Sequence, residues 1–252
     1  DLQSKNEALE QAYERLKAAQ AQLVEQERLQ RELELAAQTQ RNLLQEDLPQ
    51  FPDYSFAAYL EPARQVGGDF YDVLEIDDEH VGVLIADVAD KGFHAALFMA
   101  VTRTLFLREG KQSLSPAEVA LAVHRGMFDV ANNDEVFLTA FYGVLHRPSG
   151  RLTYIRAAHE RPLLLRPGRE VLALPGGDRF LGMMPDLELH EEIIDLEPGD
   201  RLVMFSDGVP DAVNEADEGY GNQQLAAAVA NCANKTAVEI VDYLVQDVDH
   251  WQ

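Results

Sequence analysis

The first 48 residues contain neither glycine nor proline, and prolines then follow at 49 and 52. Those two residue types are the ones that end helices, so the stretch predicts one uninterrupted helix from residue 2 to about 47, stopped by Pro49 and Pro52. Leu2, Leu9, Leu16 and Leu23 recur every seven residues, and Ala12, Ala19, Gln26 and Leu33 sit three places after successive members of that series. This is the two-stripe heptad of a coiled coil. The series continues as Gln30, Ala37 and Leu44, while Leu29, Leu33, Ala36, Gln40 and Leu43 form a shifted stripe, which implies a register shift between Gln26 and Gln30. Small and polar seam residues make a weak zipper that does not stand as an isolated helix. The narrow stripe and the charged remaining faces favour a dimerising coiled coil over a helix folded back along its own domain. The pattern is already under way at residue 1, so the chain reads as a fragment whose helix links an upstream sensor or receiver domain to a C-terminal one. Residues 1–48 are assigned as this linker and 49–252 as one domain.

Composition narrows the class. Hydrophobic residues make up 46% of the chain, enough for a sizeable core. The net charge of −23 excludes nucleic acid as a main partner, because phosphate backbones need basic faces. No apolar run reaches 18 residues and the start has no signal-peptide segment, so neither a membrane span nor export is expected. A single cysteine, Cys232, allows no disulfide within the chain and fits the cytoplasm.

After Pro52 the runs are short and β-rich: 54–60, 70–76 and 81–88, with Asp77-Asp78-Glu79-His80 as a hairpin turn between the last two. Residues 94–109 read as a helix apolar on most faces and therefore buried. Ser115-Pro116-Ala117-Glu118 opens another helix, with an N-cap, proline at the first position and an acid in the first turn. Strands return at 136–146, 151–159, 162–166, 170–174, 189–196 and 201–207, and a last helix covers 236–248. This order predicts an α+β fold of two antiparallel sheets with helices outside.

Acids stand where these strands meet turns: Asp69 and Asp72 after Gly67-Gly68, Asp87 and Asp90 before Lys91-Gly92, and Asp207 before Gly208. Asp247 and Asp249 form a weaker cluster inside the last helix. A carboxylate at a strand end is held by a rigid element yet faces a rim. Any one Asp-Gly is ordinarily a turn. Three such sites together point to a carboxylate cage for a hard cation, Mg²⁺ or Mn²⁺. Without a cysteine pair or closely spaced histidines, zinc and soft metals are disfavoured. A cysteine-phosphatase loop, a G-x-S-x-G elbow, a P-loop and a strand–G-x-G-x-x-G–helix unit are all missing from the sequence. What remains is metal-activated water attacking an electrophile, with two ions ~3.5–4 Å apart, a machinery suited to phosphate esters.

VGGDFYD, DVADKG followed by HAALFMA, FLTAFYGV with a downstream AAH, LEPGDRLVMFSDGV and the YG at 220–221 occur in that order. The set resembles the metal-dependent Ser/Thr phosphatases of the PP2C type, in their bacterial SpoIIE/RsbU branch, over residues 50–252. The resemblance implies that Asp69 is a metal ligand, with Asp72 supporting it through water. It implies that Asp87 bridges two metals, that the Val88 carbonyl completes one ion's shell, and that Asp207 holds the other ion. Activated water then attacks phosphoserine or phosphothreonine in line, with no covalent intermediate. The implied substrate is a phosphorylated regulatory protein of the anti-anti-sigma-factor kind. Three departures stand out. Asp90 and Ala158 occupy positions where the family usually has glycine, and the family's terminal Asp-Asp-x-Thr strand lies beyond the last residue, so one ligand and one central strand are expected to be missing. His159 reads either as a proton donor or as an anchor of its turn. The departures keep a second function open, a catalytically silent phosphatase fold that sequesters a partner.

Overall fold

The computed structural model describes residues 2–44, 47–63, 65–90, 92–131 and 136–252, with side chains of the first helix from Tyr13 onward. The chain divides into two units, one up to Asn42 and one from Leu43 to Gln252. The first is the helix α1, Leu2–Leu43, built from Ala, Leu, Glu, Gln, Lys and Arg, the strong helix formers. Arg28 Nε sits 3.1 Å from Glu32 Oε1, one turn on, an exposed pair worth a few tenths of a kcal/mol. Leu16, Leu23 and Leu29 are 66%, 59% and 52% exposed. The heptad side chains of Leu2, Leu9 and Ala12 lie outside the described residues.

The second unit contains two antiparallel sheets. Five strands, β1 (Asp69–Glu75), β2 (His80–Val88), β3 (Leu138–His146), β4 (Arg151–Ala157) and β7 (Glu192–Asp195), form one sheet in the order β1-β2-β3-β4-β7. The other has the order β6-β5-β8, from β5 (Leu163–Leu165), β6 (Leu172–Ala173) and β8 (Arg201–Val203). Helices α2 (Phe93–Glu109) and α3 (Pro116–Ala131) belong to the large sheet, α4 (Gly221–Ala230) and α5 (Ala237–Trp251) to the small one.

Strand alternation sorts the core into three layers. Leu84, Ala86 and Val88 on β2 face Met99 and Phe106 of α2 and Val123 and Met127 of α3. On the other face of β2, Val81 and Val83 look toward the small sheet and, with Phe141, Leu152 and Tyr154 of their own sheet, pack against Leu164 and Leu174. Leu163 and Leu165, one place either side of Leu164, turn to the far side and pack with Leu225, Val229 and Ile240 of α4 and α5. Each of these large side chains removed from water contributes roughly 2 kcal/mol. The result is helix, sheet, sheet, helix, the two antiparallel sheets flanked by helices that the residue pattern predicts.

The local signals hold as well. Asp77 Oδ1 accepts from the backbone N–H groups of Glu79 and His80, closing the β1–β2 hairpin. Ser115 Oγ accepts from the Glu118 N–H, capping α3. The structure adds a cap not expected above, a reciprocal capping box of Thr236 and Glu239 at the start of α5.

Two expectations fail. Residues 54–60 form no strand; Tyr54 and Phe56 instead pack against the inter-sheet core from an irregular segment. Helix α2 is not buried on most faces. It buries Ala95, Met99, Thr102 and Phe106, a single stripe against the sheet, while Phe93 and Leu97 are 55% and 53% exposed. Hydrophobicity alone does not say how many neighbours a helix has. Among the described residues no helix is long and apolar enough to cross a membrane.

Candidate active site

Asp69 is the first residue of β1 and Asp87 the penultimate residue of β2, and the hairpin register sets them directly opposite each other. Seven consecutive residue pairs, from Asp69↔Asp87 to Glu75↔Val81, fix that register, and a slip of one place would send both side chains to the other face. Two half-exposed carboxylates thus share one end of the large sheet.

The glycine before Asp69 has a specific reason to be there. A Cβ on Gly68 would lie 2.5 Å from the Val88 carbonyl oxygen and 3.1 Å from Asp87 Oδ1. Only a residue without a side chain lets the Val88 oxygen and the Asp87 carboxylate close on this backbone. The Val88 N–H in turn donates to the Gly68 carbonyl, at 3.3 Å.

Asp207 arrives from the other sheet, in the turn beyond β8, and is exposed. Its neighbour Ser206 reaches across: Ser206 Oγ donates to Asp69 Oδ2 at 2.9 Å, joining residues 137 apart in sequence. Asp69, Asp87, Val88 and the Asp207 turn are therefore brought to one place. Among the described residues, though, no three His, Cys, Asp or Glu side chains gather closely enough to hold a metal. Ser206 stands in the FSDG motif, but nothing local in the sequence signals its reach to Asp69.

Asp72 does not support Asp69. Three places along β1, it points to the opposite face, where it is 4% exposed and its Oδ2 lies 2.6 Å from Arg103 Nε of α2. Arg103 Nη2 donates to Asp72 Oδ1 at 3.0 Å. Burial raises the Asp72 carboxyl above its ordinary value, more than the Arg103 charge lowers it. This pair locks α2 to β1 beneath the site. Asp247, in α5, accepts a hydrogen bond from the Tyr220 hydroxyl, so it serves the packing of α5 on the segment before α4.

Both departures from glycine sit in conformations that suit glycine. Asp90 has φ 124 and Ala158 has φ 52. Asp90 Oδ2 lies 3.1 Å from His94 Nδ1, spanning the start of α2; Lys91, between them, lies outside the described residues. Ala158 turns the chain so that His159, 3% exposed, points inward. There His159 Nδ1 lies 2.7 Å from Thr139 Oγ1, and Arg156 Nη1 donates to the His159 carbonyl at 2.6 Å. Burial lowers the imidazole to about 4, with the Arg156 charge adding to it and the Phe205 carbonyl opposing it, so the ring is neutral at pH 7. In this structure His159 anchors its turn, joined to Thr139 through its ring and to Arg156 through its carbonyl.

This fold is shared with PP2C-type phosphatases: the SiaA-PP2C domain of Pseudomonas aeruginosa superposes with a TM-score of 0.76 at 23% identity, over 90% of this chain and 92% of that one. In sequence the chain is 31% identical to protein IcfG of Synechocystis sp. over 86% of its length, and 30% identical to the phosphoserine phosphatase RsbP of Bacillus subtilis over 72%. It spans 38% and 45% of those two relatives. Residues 77–252 match the family of Stage II sporulation protein E (SpoIIE), and the chain belongs to that family of PP2C-type phosphatase domains. Asp87, Val88 and Asp207 fall inside the matched segment and Asp69 precedes it.

Proposed function

We propose that residues 49–252 are a serine/threonine protein phosphatase domain that uses Mn²⁺ or Mg²⁺, with Asp69, Asp87, the Val88 carbonyl and Asp207 as the groups that would hold the cation. The observation that carries this is the Asp69–Asp87 pair, directly opposed at the end of β1 and β2 and tied by Ser206 to the Asp207 turn. The donor set suits a hard cation, being carboxylate and carbonyl oxygen. The cradle over Gly68, where the Val88 oxygen and Asp87 Oδ1 approach the backbone, is the shape such an ion needs. When bound, the ion supplies an activated water and neutralises charge on the phosphoryl oxygens.

The chain's own residues supply position. The β1–β2 ladder fixes the spacing of the two carboxylates, and the Ser206 hydroxyl fixes the rotation of the Asp69 carboxylate. The Arg103–Asp72 pair keeps β1 from shifting on α2. The 30% identity to a phosphoserine phosphatase supports a phosphorylated serine as the reacting group; the proposed substrate is a phosphoserine- or phosphothreonine-bearing regulatory protein of the anti-anti-sigma-factor kind that the resemblance implies. Full-length protein with Mn²⁺ is expected to release phosphate from a phosphopeptide or p-nitrophenyl phosphate, and Asp87→Asn to lower the rate about 10³-fold, roughly 4 kcal/mol of barrier. No turnover with Mn²⁺, or a D87N rate equal to that of the natural chain, sinks the reading.

One observation favours the second reading, a phosphatase fold that sequesters a partner without hydrolysing it: no three acidic or histidine side chains are gathered at ligating distance among the described residues. Calorimetry separates the two, since tight partner binding without metal dependence or turnover favours sequestration. For α1, the open Leu16, Leu23 and Leu29 support a homodimeric coiled coil that carries a signal from an upstream domain. Deleting residues 1–47 should then turn a dimer into a monomer by mass in solution, and an unchanged oligomer refutes the dimerising role.

A further inference from the structure

His159 has no part in the reaction as proposed, yet it sits on a closed circuit of site residues. Asp69 stands opposite Asp87 in the β1–β2 register, and Asp87 stands opposite Thr139 in the β2–β3 register. Thr139 Oγ1 meets His159 Nδ1 at 2.7 Å. The other ring nitrogen, Nε2, is buried and makes no hydrogen bond of ordinary geometry, and the Phe205 carbonyl is close enough to the ring to favour its protonated form. Phe205 precedes Ser206, whose hydroxyl returns to Asp69.

The chemistry of the two partners assigns the tautomer. A hydroxyl can donate or accept, whereas a carbonyl can only accept. With Nδ1 taken by the Thr139 hydroxyl, Nε2 is the nitrogen left for the Phe205 carbonyl, so the inferred tautomer carries its proton on Nε2 and the Thr139 hydroxyl donates to Nδ1. The left-handed turn at Ala158 and the Arg156 contact to the His159 carbonyl hold the ring in this orientation.

We propose that His159 is a positioning residue: it fixes the Asp207 turn against the Asp69–Asp87 pair, bonded to Thr139 on the large sheet and packed by its ring on the Phe205 carbonyl just beyond β8. The proposal rests on the reading of the site as a cation site. Histidines and carboxylates that orient ligands without touching the ion commonly change metal affinity 10–100-fold when replaced. An imidazole serving only to fill space would leave that affinity alone.

The test has two readouts on the full chain. Long-range ¹H–¹⁵N spectra should show the neutral Nε2–H tautomer, and an Nδ1–H tautomer overturns the proposal. Calorimetric titration with Mn²⁺ should show about tenfold weaker binding in H159N, which keeps a partner for Thr139 but cannot reach Phe205. H159Q, whose amide nitrogen stands near the place of Nε2, should recover most of that loss, and T139V should match H159N. Equal Mn²⁺ affinity in H159N and the natural chain overturns the proposal; should H159N not fold, T139V carries the same comparison. If the natural chain takes up no Mn²⁺, the cation reading falls by itself. Amide exchange at Phe205–Asp207 then decides separately: faster exchange in H159N sustains the positioning role, and unchanged exchange overturns it.

Discussion

The two halves of the candidate site are held in opposite ways. Asp69 and Asp87 belong to a hairpin with seven residue pairs, buried on one face under α2 and on the other under the small sheet. Asp207 stands in a turn beyond a strand of three residues and reaches the first half through a serine hydroxyl and, with His159 in its proposed role, a histidine ring. Backbone ladders set position to a fraction of an ångström and need no help; a turn held by two side chains needs both of them. The cation would draw these halves together, so the looser one is where sequence changes should tune affinity.

That contrast can be broken at the seam. His159 stays neutral when folded, with its proton affinity lowered to about 4, while in the unfolded chain it titrates near the ordinary value of 6.5. The unfolded state therefore takes up the proton first as pH falls. The stability from keeping this ring neutral is fully present above pH 6.5 and is lost as pH drops toward 4, about 3 kcal/mol in all. Denaturant unfolding at pH 7 and pH 4.5 should show the fall, and H159Q should flatten this part of it.

A smaller effect comes from the rigid half. Gly68→Ala places a methyl group 2.5 Å from the Val88 oxygen, so the end of the ladder must give way, at a cost of about 2 kcal/mol. Phosphate release should fall further than stability does, because the displaced oxygen is one of the proposed ligands. Equal activity in G68A and the natural chain would remove Val88 from the ligand set. Ser206→Ala probes the loose half: the lost hydrogen bond costs about 1 kcal/mol of stability, read from urea midpoints, and Mn²⁺ affinity should drop with it. The smallest change is a gain. Ala158→Gly relieves a left-handed residue, and after the extra chain entropy of glycine the protein should be about 0.5 kcal/mol more stable by thermal unfolding.

What could be read from the residues divides along the same line. The β1–β2 hairpin is legible because a short polar turn, Asp77 to His80, joins two β-rich runs, whereas the register that sets Asp69 opposite Asp87 emerges from the fold. The Ser115 cap is legible for the same reason. Ser206 with Asp69, Thr139 with His159, and Arg103 with Asp72 were not, since those contacts join residues 137, 20 and 31 positions apart, and only the assembled layers bring them together. Residues 54–60 have strand-like composition, but tertiary packing used their aromatics without giving them a partner strand. The glycine departures at 90 and 158 were visible in the sequence, whereas their cost became visible only in φ.

The hydrogen bond from Ser206 to Asp69 also sets an order in time. A growing chain displays Asp69 and Asp87 long before residues 206 and 207 are made. Closing so distant a contact has an entropic cost that nothing repays until the small sheet docks on the large one. The candidate site is thus assembled only as the domain nears completion. An unfinished chain would present half a cage, and recovery of phosphate release during refolding would report the closing of the final layers.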